Sequence, residues 1–166
     1  MPDKLARAEE KGVAVGRIVV GVDGSQHSLG ALEWACREAE LRGDSLELVS
    51  AWSLPAVSSE AASAEVVEAL QGAAEEAGEA GRQLAQRLAP GVPLTVRSYR
   101  GQAARVLVER ARGAELLVVG SRGMGDFKAL LLGSVSQECS HHSPVPVVIV
   151  RRGDLAPATP PTAPPE

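Results

Sequence analysis

Three observations predict an α/β protein with one open, parallel, five-stranded sheet. Short aliphatic runs alternate with stretches of helical periodicity from residue 17 to residue 152. Hydrophobic residues make up 45% of the 166-residue chain but aromatics only 2%, so the interior consists mostly of Ala, Val and Leu. Aliphatic strands layered against alanine-faced helices suit that composition better than an aromatic-rich sandwich. Finally, glycine-rich segments follow the first and fourth runs, at positions where a sheet of this type meets a ligand. A chain of this length buries a single core.

The elements follow in order. "RIVVGV" (17–22) is a short apolar run and so a buried strand, and "SLGALEWACREAELRG" repeats apolar residues at Leu29, Leu32, Ala35, Cys36 and Ala39 with helical spacing. "SLELVSAW" returns to a strand, completing a βαβ unit. "AVSSEAASA" is expected to be a loop, after which Val66, Leu70, Ala73, Ala77, Leu84 and Leu88 mark the apolar stripe of a long helix. Gly72, Gly78 and Gly81 each weaken that helix by about 1 kcal/mol relative to alanine, so it must rely on packing. "PLTVRSY", "ELLVVG" and "PVPVVIVR" are the remaining strands, with "AARVLVERAR" and "SVSQECSHH" as the intervening helices. Right-handed crossovers then require a parallel sheet covered on both faces. Residues 1–16 and the proline-rich 153–166 are expected to be disordered tails around a domain at 17–152.

Composition excludes several functions. A net charge of −4 gives no basic face for nucleic acid. No run approaches the roughly 18 apolar residues of a membrane helix, and "MPDKLARAEEKG" lacks the apolar core of a signal peptide, so a soluble, cytoplasmic protein is expected. Cys36 and Cys139 have neither redox nor metal spacing and are expected to be buried free thiols. His141 and His142 suit the negative end of the fourth helix, and His27 lacks a nucleophile partner. The acidic run from Glu65 to Glu79 is a solvated helix face.

In an open sheet, ligands bind beyond the carboxyl ends of the strands, where strand order reverses. If the chain winds one way through strands 1 to 3 and the other way through 4 and 5, the segments "GVDGS" (21–25) and "GSRGMG" (120–125) face each other there. Gly120 and Gly123 let backbone approach a ligand, and Gly133-Ser134 opens the fourth helix with free N–H groups suited to phosphate. Ser134 and Ser136 can add hydroxyl donors, and Arg122 or Lys128 positive charge. The apolar Phe127 and Leu130 to Leu132 are expected to pin the intervening loop. Asp23 is the lone carboxylate at the site, able to meet ribose hydroxyls, to hold a divalent ion against the phosphates, or simply to cap its own turn. Gly24 and Gly125 suit turns, and Ser25 suits a helix N-cap. Neither the P-loop string nor the dinucleotide fingerprint is present.

The spacing that does occur is G-x2-G-x9-G-[S/T], at Gly120, Gly123, Gly133 and Ser134. With "RIVVGVDGS" and "LLLGSVSQECSHHSPVPVVIV", it resembles the ATP-binding universal stress proteins over residues 17–152. The resemblance implies strand order 3-2-1-4-5, ATP at the switch point with Mg2+ or Mn2+ at Asp23, and a homodimer through strand 5. It implies that Gly21, Val22 and Asp23 form one side of the site, that Ala51 offers its backbone to adenine and that Gly120 lies beside ribose. Gly123, Gly133, Ser134, Val135 and Ser136 would form the phosphate cradle, with the charge of Arg122 expected beside it. The family often carries proline or alanine where this chain has Gly21, and histidine where it has Ser50. Strand 5, with Val147, Val148 and Ile149 at its centre, is too apolar for an open edge, which independently favours self-pairing. A nucleotide-dependent regulatory module is the expected function. The alternatives are a slow ATPase or adenylyl-transfer enzyme, for which no base or nucleophile is evident, and a structural dimer without nucleotide.

Overall fold

The computed structural model of the chain describes residues 16–54, 62–123 and 132–151. The predicted tails, apart from Gly16, most of the loop expected at 56–64, and Gly125, Phe127, Lys128, Leu130 and Leu131 lie outside the described residues. Strands β1 (Arg17–Gly21), β2 (Ser45–Trp52), β3 (Leu94–Arg100), β4 (Leu116–Gly120) and β5 (Val147–Val150) alternate with helices α1 (Gln26–Arg42), α2 (Ala64–Leu88), α3 (Ala103–Arg110) and α4 (Ser134–His142). The sheet is parallel throughout, in the order β3-β2-β1-β4-β5. Ile18 lies beside Leu46 on one flank and Leu116 on the other, so the chain reverses its winding between β1 and β4.

Alternation along the strands divides the core in two. Ile18, Val20, Leu46, Leu48 and Val118 pack with α1 and α2, whereas Val19, Val49, Leu117 and Val119 pack with α3 and α4. Central strands buried on both faces are continuous apolar runs, which is why "RIVVG" and "LLVVG" carry almost nothing polar. α1 begins where the Ser25 hydroxyl accepts the Ser28 N–H at 3.2 Å and ends at Gly43, whose φ of 72° closes the helix.

The contact stripe of α2 differs from the expected one. Val66 and Leu88 are about half exposed, Ala73 is exposed, and the buried residues are Ala74, Ala77, Gly78, Gly81 and Ala85. The helix meets the sheet through its smallest side chains: a Cβ at Gly81 would lie 3.1 Å from Leu48 Cδ1, and one at Gly78 2.9 Å from Val96 Cγ1. These two glycines gain close packing for their conformational cost, while Gly72 has nothing within 4 Å of its would-be Cβ. β5 is shorter than "PVPVVIVR" because Pro144 and Pro146 have no N–H; the ladder starts from the Pro146 carbonyl, which accepts the Leu117 N–H at 3.0 Å.

Candidate functional site

The two loops at the switch point are built by local hydrogen bonds. After β1, the Val22 N–H reaches the Val49 carbonyl at 2.9 Å and extends the ladder by one residue. The chain then turns at Asp23, whose Oδ1 accepts the Ser25 N–H at 2.9 Å, with Gly24 at a φ of 81°. Ser28 Oγ donates to the Ser25 carbonyl at 3.0 Å and accepts the Asp23 N–H at 3.3 Å. One carboxylate oxygen of Asp23 therefore caps the turn and the other, Oδ2, is directed across the gap to Gly123, where a Cβ would stand 2.9 Å from it.

On the β4 side, Ser121 ties three elements together. Its N–H donates to Val150 of β5 at 2.8 Å, and its carbonyl accepts the Gly133 N–H at 2.7 Å and the Ser136 hydroxyl at 3.1 Å. Ser136 Oγ also lies 2.9 Å from the Gly133 carbonyl. The single hydroxyl hydrogen of Ser136 is thus directed to protein carbonyls, and the side chain is 2% exposed. The expectation that Ser136 offers a free hydroxyl donor is corrected: its side chain holds the start of α4 against residue 121. The hydroxyl of Ser134, at the exposed first position of α4, remains available. Gly133 is the N-cap and supplies no side-chain acceptor, so the N–H groups of the first turn point out of the helix without a partner among the described residues.

Between the loops lies a cavity of about 510 Å³. Of the residues expected at the site, Gly21, Val22, Asp23, Ala51, Gly120, Arg122, Gly123, Gly133, Ser134, Val135 and Ser136 all line it. Leu132, expected to help pin the loop, lines it too, and sequence reasoning missed Ser28, Val49, Ala103, Leu107 and Val119. The strand alternation that buries Val19 also turns Val49, Ala51 and Val119 to this face, and Ala103 and Leu107 are four apart on α3, so the periodicities contained the signal. The result is a polarised cavity. One end is apolar, formed by Val49, Ala51, Ala103, Leu107 and Val119, and the other carries Asp23, Ser28, Arg122 and the α4 N-terminus.

Two of the glycines also make room for protein. At Gly120 a Cβ would fall 2.6 Å from the carbonyl carbon of His27 and 2.7 Å from its oxygen, so this glycine admits the first turn of α1 onto the end of β4. A Cβ at Gly133 would lie 3.3 Å from Arg122 Cα and 3.5 Å from the Ser121 oxygen. In each case the missing side chain makes room for protein, and the ligand space is left over from that close packing. His27 Nδ1 is buried with no partner among the described residues, and His141 and His142 are exposed in the last turn of α4. Cys36 and Cys139 are free and buried. Burial, helped by the charges of Glu40 and Glu33 for Cys36 and of Glu138 for Cys139, pushes both thiols up to about 11, which leaves them protonated and unreactive near neutrality.

This geometry coincides with a match to the universal stress protein family model over residues 14–151. The chain belongs to the universal stress protein family. A universal stress protein of Mycobacterium tuberculosis is 39% identical over 143 residues, covering 81% of this chain and 45% of the relative. One from Mycolicibacterium smegmatis is 34% identical over 145 residues, covering 84% and 49%. The chain thus spans about half the length of the curated universal stress proteins it matches. Among solved structures, a universal stress protein in complex with cAMP is 29% identical with a TM-score of 0.63, covering 81% of this chain and 96% of that one. A universal stress protein from Archaeoglobus fulgidus in complex with dAMP, at 22% identity and a TM-score of 0.61 over 81% of this chain and 96% of that one, shares the fold. Among the described residues no helix is long and apolar enough to cross a membrane.

Proposed function

We propose that the cavity binds ATP and that occupancy makes the chain a nucleotide-dependent regulatory module of the stress response, working in the cytoplasm. The observation carrying this reading is the polarity of the cavity: an apolar end suited to a purine, and at the other end a helix N-terminus with unpaired N–H groups suited to phosphate. Ala51 and Val49 flank the base by backbone and methyl contacts, Asp23 meets the ribose, and Ser134, Val135 and Ser136, in the turn that Gly133 opens, present main-chain donors to phosphate, with the Ser134 hydroxyl beside them.

A divalent ion fits only as the nucleotide's own companion. Among the described residues Asp23 is the one carboxylate lining the cavity, half of it is engaged in the turn, and no cluster of three metal-ligating side chains occurs. Asp23 Oδ2 would supply one ligand to Mg2+ or Mn2+, with phosphate oxygens and water supplying the rest, as is usual for magnesium. Slow or absent turnover is the expectation that goes with this inventory, since among the described residues no histidine or glutamate lines the cavity to activate water. A second reading, in which the physiological ligand is a monophosphate, draws on the relative solved with cAMP.

We also propose that β5, at the edge of the sheet, pairs with its copy through Val147, Val148 and Ile149 to form a homodimer. Calorimetric titration with ATP, with and without magnesium, tests the binding. Wild type binds; Gly133→Val, which pushes Arg122 and Ser121 off the helix start, binds at least about tenfold more weakly. Wild-type affinity in that variant sinks the phosphate assignment. Light scattering tests the assembly: twice the chain mass for wild type and a monomer or insoluble protein for Val148→Lys.

A further inference from the structure

The apolar end of the cavity is bounded by a contact that no motif describes. A Cβ at Gly21 would lie 3.0 Å from Leu107 Cδ1, 3.3 Å from Leu107 Cδ2 and 3.5 Å from Val119 Cγ1. Gly21 is not among the glycines with positive φ, so its backbone would accept an L side chain and the constraint is one of space. Leu107, on α3, is 4% exposed and lines the cavity.

We infer that Gly21 and Leu107 act as a pair that sets the depth of the apolar end and hence how tightly a nucleotide base seats there. The inference rests on the nucleotide reading and adds the residue pair that sets its affinity. Away from the cavity Leu107 packs in a cluster with Val19, Ala104 and Ala111, all buried. Close-packed neighbours on that side yield little, whereas the cavity has room for a methyl group. A Cβ at residue 21 therefore drives the Leu107 side chain toward the ligand space. The fold loses little, because the leucine tip moves into open volume; the ligand loses the depth it needs. A glycine required only for packing would behave in the opposite way, with stability falling and affinity following only as far as the fold fails.

The test is a double-mutant cycle read by both affinity and stability. Wild type, Gly21→Ala, Leu107→Ala and the double variant are titrated with ATP, AMP and cyclic AMP, and each is melted without nucleotide. For whichever nucleotide wild type binds, Gly21→Ala is expected to bind at least about fivefold more weakly with a nearly unchanged Tm. The double variant is expected within about twofold of Leu107→Ala, because the alanine at 107 leaves nothing to displace. Should Leu107→Ala fail to fold, Leu107→Met gives the cycle with an unbranched side chain that bends aside. Unchanged affinity in Gly21→Ala, or losses that add in the double variant, overturns the pairing while nucleotide binding by wild type stands. Wild type that binds none of the three nucleotides overturns the proposed function and this inference with it.

Discussion

The two ends of the sheet use polar groups in opposite ways. Toward the amino ends of the strands, Glu47 is 3% exposed and fully engaged: one oxygen meets Arg17 and the other meets Arg110 at 2.7 to 2.9 Å. Arg17 in turn donates to the Arg112 carbonyl at 2.9 Å, and the Arg110 guanidinium lies 5.3 Å from the centre of the Tyr99 ring. At the carboxyl ends the donors of the α4 first turn have no partner among the described residues, and half of the Asp23 carboxylate faces a gap. Saturated charges hold one end shut and unsatisfied dipoles leave the other ready for an anion, so stability and binding are separated along one sheet.

The largest expected effect erases that contrast by collapsing the open end. In Gly120→Val the new side chain meets the backbone of His27, which cannot rotate away, and α1 must lift off β4. A loss of roughly 4 kcal/mol or more, read from urea unfolding, is expected; wild-type stability would mean that the two elements do not touch as described.

Breaking the closed end costs less. Glu47→Gln leaves Arg17 and Arg110 facing a neutral amide, but both arginines are about a third exposed and recover water, so a loss of about 2 kcal/mol is expected instead of the larger cost of a fully buried pair. Nucleotide affinity should hold in the folded protein. A Glu47 variant that unfolds normally but loses affinity would show that the ends are coupled.

Asp23→Ala belongs to the open end. Removing the Oδ1 contact with Ser25 costs about 1 kcal/mol of stability, while ATP affinity with magnesium falls about tenfold and more than affinity without it. Equal losses with and without the metal would restrict Asp23 to the ribose or to its turn.

The smallest effect refines the picture of the closed end. Asp44 is buried, and burial first, then the charge of Glu115, raises its carboxyl above the ordinary aspartate range. The sign follows: a raised folded pKa favours folding below the ordinary pKa and loses that contribution as pH rises through the raised value. Asp44→Asn should therefore melt slightly higher than wild type at pH 7, with the gap narrowing as pH falls toward 4. A gap that widens on acidification would mean that the charged form is the favoured one.

The sheet order was legible because the family motif and the strand alternation agree, and the chemistry-bearing loops were legible because they are contiguous in sequence. The stripe of α2 was not: leucine and valine spacing pointed to Val66 and Leu88, whereas close approach of helix to sheet selected Ala74, Gly78 and Gly81, residues whose value lies in what they lack. The same blindness hid the reason for Gly120, since the backbone it accommodates is at His27, nearly a hundred residues earlier. Ser136 was recognised as part of the site, but its role turned on a carbonyl fifteen residues away that no spacing rule supplies. Leu107 carried no signal beyond helical periodicity until the fold set it under Gly21.

The central claim, that the polarised cavity between β1 and β4 is an adenine-nucleotide site, is tested most directly by denaturing the purified protein and identifying what it releases by mass spectrometry, after incubation with equimolar ATP and removal of unbound nucleotide. The account predicts close to one adenine nucleotide per chain from wild type and far less from Gly133→Val of unchanged helical content. Wild type that releases none, or a Gly133→Val variant that releases as much as wild type, would contradict it.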